Sequence, residues 1–119
     1  MSRINRIFIT TAFSKTIPSM TKKTLRLVIY GHVQGVFFRD SMRRKAQNLA
    51  VAGWVRNRSD GSVEAVVQGE PADVDAIVRW AHRGPEFAQV ERVAIEPDDG
   101  SYTNFEVIGH PMVTTNIIR

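Results

Sequence analysis

Residues 24–49 read TLRLVIYGHVQGVFFRDSMRRKAQNL, and the spacing of the apolar side chains changes within this stretch. Before the first glycine, Leu25, Leu27 and Ile29 occupy every second position, which predicts a β-strand over residues 24–30. After the second glycine, apolar residues recur every three or four positions, which predicts an amphipathic helix of about three turns. These positions are Phe38, Met42, Ala46 and Leu49. A strand therefore leads into a helix through a short glycine-containing loop.

The rest of the chain continues this pattern of strands and helices. Further strands are predicted over residues 52–57, 62–68, 90–95 and 104–108. The sequence Arg58-Ser59-Asp60-Gly61 predicts a hairpin between the first two of them. A second helix is predicted to begin near Pro71 and to end before Gly84-Pro85, because proline is favoured in a first helical turn and Gly-Pro stops a helix.

The predicted order is strand, helix, strand, strand, helix, strand, with a short additional strand at the end. This is the split βαβ, or ferredoxin-like, arrangement of the α+β class. We expect two helices on one face of a mainly antiparallel sheet of four to five strands. Many unrelated functions use this fold, so it does not decide the chemistry.

The composition excludes several kinds of site. The 119 residues include no cysteine, which rules out a thiolate nucleophile and a cysteine-based zinc site. The three histidines, His32, His82 and His110, do not have the spacing of metal ligands, so we expect no metal and no cofactor. No run of about 18 apolar residues occurs, so we expect no association with a membrane.

The net charge of +4 is unevenly distributed, because no acidic residue precedes Asp40. We therefore expect no nucleic-acid partner, since a nucleic-acid binder usually spreads its basic residues over a folded face.

One domain is expected at residues 23–109, between a disordered extension at 1–22 and a tail at 110–119. A monomer in the cytoplasm is expected. Because residues 1–21 are basic and rich in hydroxyl groups, targeting to an organelle is the alternative.

The loop between the first strand and the first helix has the features of an anion site. Gly31 and Gly35 allow backbone N–H groups to converge on one point, and the helix start adds unpaired N–H donors. Arg39 adds a planar guanidinium suited to phosphate. The candidate loop residues are His32, Val33, Gln34, Gly35, Val36, Phe37 and Phe38.

A second segment, Gly53-Trp54-Val55-Arg56-Asn57, ends a predicted strand with an amide that can both donate and accept hydrogen bonds. In a split βαβ fold the first and second strands run parallel and end at the same edge of the sheet. We therefore expect Arg39 and Asn57 to lie close together. Phe37, Phe38 and Trp54 are expected to pack in the core or the loop rather than to contact a substrate.

The sequence GHVQGVFFR at 31–39, followed eighteen residues after Arg39 by the asparagine that closes GWVRN, resembles the acylphosphatase family. The resemblance extends from about Lys23 to Ile108. It implies hydrolysis of the carboxyl-phosphate bond of acyl phosphates without a metal or cofactor, with a small-molecule acyl phosphate as the substrate. It also implies that Arg39 binds the phosphate, that Asn57 orients the attacking water and that residues 32–38 form the phosphate-binding loop.

One feature of the chain leaves part of this resemblance open. Some members of the family carry a threonine after the asparagine, where this chain has Arg58, and the sequence does not decide whether Arg56 or Arg58 assists substrate binding.

The alternative function is a non-catalytic anion-binding or RNA-binding ferredoxin-like module. The third strand, Ser62 to Gln68, has no aromatic residue, which disfavours RNA binding.

Overall fold

The computed structural model describes residues 22–109, so the expectations for residues 1–21 and 110–119 lie outside the described residues. The predicted order of elements is confirmed. The strands are β1 (Lys23–His32), β2 (Ala52–Asn57), β3 (Val63–Gly69), β4 (Gln89–Pro97) and β5 (Phe105–Val107). The helices are α1 (Phe38–Asn48), between β1 and β2, and α2 (Pro71–Ala81), between β3 and β4. Neither helix is long and apolar enough to cross a membrane.

The five strands form one sheet in the order β4-β1-β3-β2-β5. Of the four pairings between these strands, three are antiparallel, and the pairing of β2 with β5 is parallel. Because β1 and β2 both pair antiparallel with β3, they run in the same direction. Ile29 of β1 and Asn57 of β2 both lie opposite Val63 of β3, so the chain that leaves β1 passes the end of β2. The predicted ferredoxin-like α+β fold is therefore confirmed.

The core lies between the sheet and the two helices. Helix α1 buries Phe38, Met42 and Ala46, as the spacing of apolar residues predicts, and α2 buries Val74, Ile77 and Ala81. The strands contribute Leu27, Ile29, Val55, Val63, Ala65 and Val67 to the same cluster. The ring centroids of Phe38 and Trp80 are 5.3 Å apart, and this contact connects the start of α1 to α2.

One boundary differs from the prediction in a way that concerns the site. Strand β1 continues beyond Tyr30, and Gly31 and His32 pair with Val90 and Gln89 of β4 after a register shift. Gly31 has a φ of 129°, a conformation that glycine adopts without strain, so the strand bends here without ending. The loop is therefore shorter than its two glycines suggest and runs from Val33 to Phe37.

Candidate active site

The loop between β1 and α1 is fixed by apolar side chains that point into the core. Val33 and Val36 are 1% and 6% exposed, whereas Gly35 and Phe37 face outward. Gly35 and Phe37 have φ values of 77° and 65°, in the left-handed region. Helix α1 has no side-chain cap at its start, and its first turn carries Arg39. Unpaired N–H groups at a helix start favour the binding of an anion.

Arg39 and Asn57 line one cavity of about 460 Å³ at this edge of the sheet. Six of the residues singled out from the sequence contribute to its wall. They are Val33, Gly35, Phe37, Phe38, Arg39 and Asn57. The expected proximity of the arginine and the asparagine follows from the parallel directions of β1 and β2.

The other three loop residues lie outside the cavity wall. His32 is exposed on β1, and Val36 is buried in the core. The side-chain amide of Gln34 donates to the backbone carbonyl oxygens of Arg58 and Ser62 at 2.8 and 2.9 Å. Gln34 therefore joins the loop to the hairpin that follows Asn57.

The hairpin between β2 and β3 is held by its own hydrogen bonds. The backbone N–H of Arg58 donates to Ser62 O at 2.9 Å, and Asp60 Oδ1 accepts the N–H of Ser62 at 3.0 Å and its hydroxyl at 2.5 Å. Hydrogen bonds from the Ser62 hydroxyl and N–H lower the pKa of the Asp60 carboxyl. Asn57 is thus attached to a turn with a defined conformation.

The two arginines beside Asn57 have acidic partners away from the cavity. Arg56 lies 2.7 Å from Glu64 Oε1 on the outer face of the sheet. Arg58 lies 3.6 Å from Asp60 within the hairpin. Neither of them belongs to the cavity wall.

Charged side chains of α1 form a second part of the wall. Asp40 accepts from Arg43 at 2.5 Å and from Arg44 at 2.7 Å, and these hydrogen bonds lower the pKa of the Asp40 carboxyl. Within residues 22–109, Arg39 makes no salt bridge. Its positive charge is consequently available to a ligand in the cavity.

Asp40, Arg43 and Val107 also line the cavity, although the sequence patterns did not single them out. The helical spacing would have indicated Arg43, because a side chain four residues after Arg39 lies on the same face of α1. However, the apolar positions that define the buried side of α1 are Phe38, Met42 and Ala46, so Arg43 falls on the polar side of the amphipathic pattern. Val107 gave no signal, because its position depends on the pairing of β5 with β2, where Val107 lies opposite Val55.

The expectation that three aromatic residues pack internally is only partly confirmed. Phe38 is 2% exposed and contacts Trp80, and Trp54 is half-buried with the Arg56 guanidinium 6.0 Å from its ring centre. For Phe37 the expectation is wrong, because its side chain is 76% exposed at the cavity. The tight loop turns Val36 and Phe38 inward, and this directs Phe37 toward solvent.

Comparisons with known proteins agree in one family. A family profile described as Acylphosphatase matches residues 25–107. The acylphosphatase of Thiobacillus denitrificans is 61% identical over 84 residues, which cover 71% of this chain and 94% of that protein. The acylphosphatase of Thermococcus kodakarensis is 48% identical over 91 residues, which cover 76% of this chain and 100% of that protein.

Solved structures give the same result. A structure of an acylphosphatase from Coxiella burnetii superimposes with a TM-score of 0.71 at 39% identity, covering 73% of this chain and 93% of that one. An acylphosphatase from Bacillus subtilis superimposes with a TM-score of 0.68 at 29% identity, covering 71% and 97%. From its sequence, its fold and these relatives, the chain belongs to the acylphosphatase family.

Proposed function

We propose that this chain hydrolyses the carboxyl-phosphate bond of acyl phosphates and releases a carboxylate and inorganic phosphate. The observation that carries the proposal is that Arg39 and Asn57 line one cavity, beside the loop and the start of α1. A guanidinium and unpaired N–H groups suit the phosphate, and a nearby amide suits a water molecule. Family membership supports the same reaction.

The chemistry of the substrate explains how so few groups suffice. The leaving group is a carboxylate whose conjugate acid has a pKa of about 4, so no strong general acid is needed. Arg39 and the loop N–H groups would stabilise charge on the phosphoryl oxygens as the bond to the carboxylate breaks. The side-chain oxygen of Asn57 would accept a hydrogen bond from water and hold it in line with that bond. This mechanism requires no metal ion or cofactor.

We assign the loop residues different roles within this site. Val33 and Val36 hold the backbone through burial, and Gln34 connects it to the hairpin, so the phosphate would contact backbone N–H groups rather than these side chains. Arg56 and Arg58, which have acidic partners elsewhere, have no assigned part in substrate binding.

We also propose that the protein acts as a cytoplasmic monomer on a small molecule and not on nucleic acid. On the outer face of the sheet, Arg26 and Arg56 both contact Glu64, which offsets their charge, and β3 presents no aromatic side chain for stacking on a base. Light scattering should report a monomeric mass, and gel-shift assays should show no RNA binding at micromolar protein.

Phosphate release from acetyl phosphate and benzoyl phosphate tests the activity. Arg39→Ala should lose about a hundredfold or more in kcat/KM, as expected for removal of a donor that stabilises transition-state charge. Asn57→Ala should lower kcat with a smaller effect on the inhibition constant of inorganic phosphate. Arg79→Ala and Asn48→Ala are matched controls at exposed helix positions and should behave like the parent.

Two results would contradict the proposal. If folded Arg39→Ala and Asn57→Ala variants turned over at the parent rate, the assigned roles would be wrong. If the parent bound inorganic phosphate but hydrolysed neither substrate, the non-catalytic anion-binding alternative would be correct.

A further inference from the structure

Two of the four large exposed apolar side chains in residues 22–109 lie at the candidate active site. In residues 22–109 the large exposed ones are Phe37 at 76%, Phe87 at 70%, Ile95 at 45% and Val107 at 39%. Phe37 and Val107 line the cavity that contains Arg39 and Asn57, although seventy residues separate them in the chain. Tertiary structure therefore brings two unburied apolar groups to one site.

The backbone at Phe37 is unfavourable for a residue with a large side chain. Its φ of 65° lies in the left-handed region, where glycine is relaxed and a Cβ atom is strained. Burial does not offset this strain, because the ring is exposed. Such strain at a cavity wall is typical of a residue that contacts a ligand.

Val107 contributes to the same cavity from β5. Val107 lies opposite Val55 of β2, and Val55 precedes Asn57 by two residues. The cavity volume of about 460 Å³ is within the range of small-molecule sites, so the cavity has room for more than a phosphate group. Its charged group Arg39 and its apolar groups Phe37 and Val107 match a ligand with one anionic end and one apolar end.

We propose that the site prefers acyl phosphates whose acyl group is apolar and preferably aromatic, and that Phe37 and Val107 contact this group. The inference rests on the proposed function and names the substrate class for that site. With the phosphate at Arg39, the acyl group extends along Phe37 toward Val107. An aromatic acyl group gains ring contacts with Phe37 that an acetyl group is too small to make.

The ratio of kcat/KM for benzoyl phosphate to kcat/KM for acetyl phosphate tests the contact, because leaving-group differences are the same in every variant. Phe37→Ala should lower this ratio about three- to tenfold, mainly through KM for benzoyl phosphate. Phe87→Ala removes an equally exposed ring outside the cavity and should keep the parent ratio. Val107→Ser should lower the ratio less than Phe37→Ala does, and Ile95→Ser, its control on β4, should keep it.

Phe37→Gly separates substrate contact from a structural role. We expect it to lower the same ratio while the midpoint of thermal unfolding stays the same or rises, because glycine relieves the left-handed strain. Folded Phe37→Ala and Phe37→Gly variants with the parent ratio would overturn the inference. Failure of the parent to hydrolyse either substrate would instead refute the proposed function, and this inference with it.

Discussion

The side-chain amide of Gln34 donates a hydrogen bond of 2.8 Å to the backbone carbonyl oxygen of Arg58, the residue directly after Asn57. The same amide reaches the carbonyl oxygen of Ser62 at 2.9 Å. The two parts of the proposed site, the loop before Arg39 and the strand end at Asn57, come from separate elements. The Gln34 side chain connects these two parts directly. In the proposed mechanism it should therefore fix the distance between the phosphate group bound at Arg39 and the water held by Asn57.

Replacing Gln34 should therefore affect turnover more than phosphate binding. Gln34→Ala should cost about 1–2 kcal/mol in the free energy of unfolding, because both carbonyl oxygens keep a backbone partner when the amide is lost. It should lower kcat about tenfold with a smaller change in the inhibition constant of inorganic phosphate. Gln34→Glu should be at least as harmful, since a carboxylate cannot donate to these carbonyl oxygens.

Gln47→Ala is the matched control for Gln34→Ala, because Gln47 is exposed on α1. It should leave both kcat and the unfolding midpoint unchanged. Equal kcat values for Gln34→Ala and the parent would show that the hairpin positions Asn57 without this contact.

Arg39→Lys should separate the charge of Arg39 from its shape. Lysine keeps the positive charge but loses the planar fork that donates two parallel hydrogen bonds to phosphate oxygens. We expect a loss of about ten- to a hundredfold in kcat/KM for acetyl phosphate, smaller than the loss for Arg39→Ala. Arg79→Lys, at an exposed position of α2, is the control. Full activity in Arg39→Lys would mean that charge alone explains the role of this residue.

Local patterns in the sequence were enough to predict the fold. Alternation of Leu25, Leu27 and Ile29 and the helical spacing after Phe38 are encoded by neighbouring residues, and each determines which face of its element is buried. The proximity of Arg39 and Asn57 was also predictable, because it follows from the directions of β1 and β2 in this fold.

The features that the sequence did not reveal depend on contacts between distant parts of the chain. Val107 reaches the cavity only because β5 pairs with β2. Phe37 was expected to pack internally, but the positive φ that turns its side chain outward is set by the whole loop. The hydrogen bonds of the Gln34 side chain require the hairpin beside it, and no local pattern carries that information.

Gly53 in β2 should tolerate no side chain. Its φ is 136°, and an added Cβ would overlap the carbonyl oxygen of Val66 on the neighbouring strand. Gly53→Ala should therefore lower the free energy of unfolding by about 3 kcal/mol or more. Gly61→Ala is the control, since Gly61 also has a positive φ of 92° but faces open space, and it should cost about 1 kcal/mol. Urea denaturation measures both, and similar losses would mean that the overlap is relieved by small backbone shifts.

Glu64 should make stability depend on pH through its two arginine partners. Its side chain is 7% exposed, and its oxygens lie 2.6 Å from Arg26 Nε and 2.7 Å from Arg56 Nη2. Burial alone would raise the pKa of the Glu64 carboxyl, but hydrogen bonds from Arg56 and Arg26 outweigh it and lower this pKa. Because the pKa in the folded state lies below the ordinary pKa of a glutamate, the carboxylate stabilises the fold at pH values above that ordinary pKa. This stability is lost as the pH falls through the folded-state pKa.

Glu64→Gln should therefore cost about 1–3 kcal/mol in the free energy of unfolding at pH 7, a loss reduced by the partial exposure of both arginines. The difference between the parent and Glu64→Gln should shrink as the pH is lowered from about 5 toward 3, because the parent carboxylate becomes protonated. Glu96→Gln is the control, since Glu96 also pairs with Arg26 but is 59% exposed, and it should cost below about 1 kcal/mol. Urea denaturation across this pH range measures the differences. A gap between the parent and Glu64→Gln that stayed constant down to pH 3 would show that the ionised carboxylate contributes no net stability.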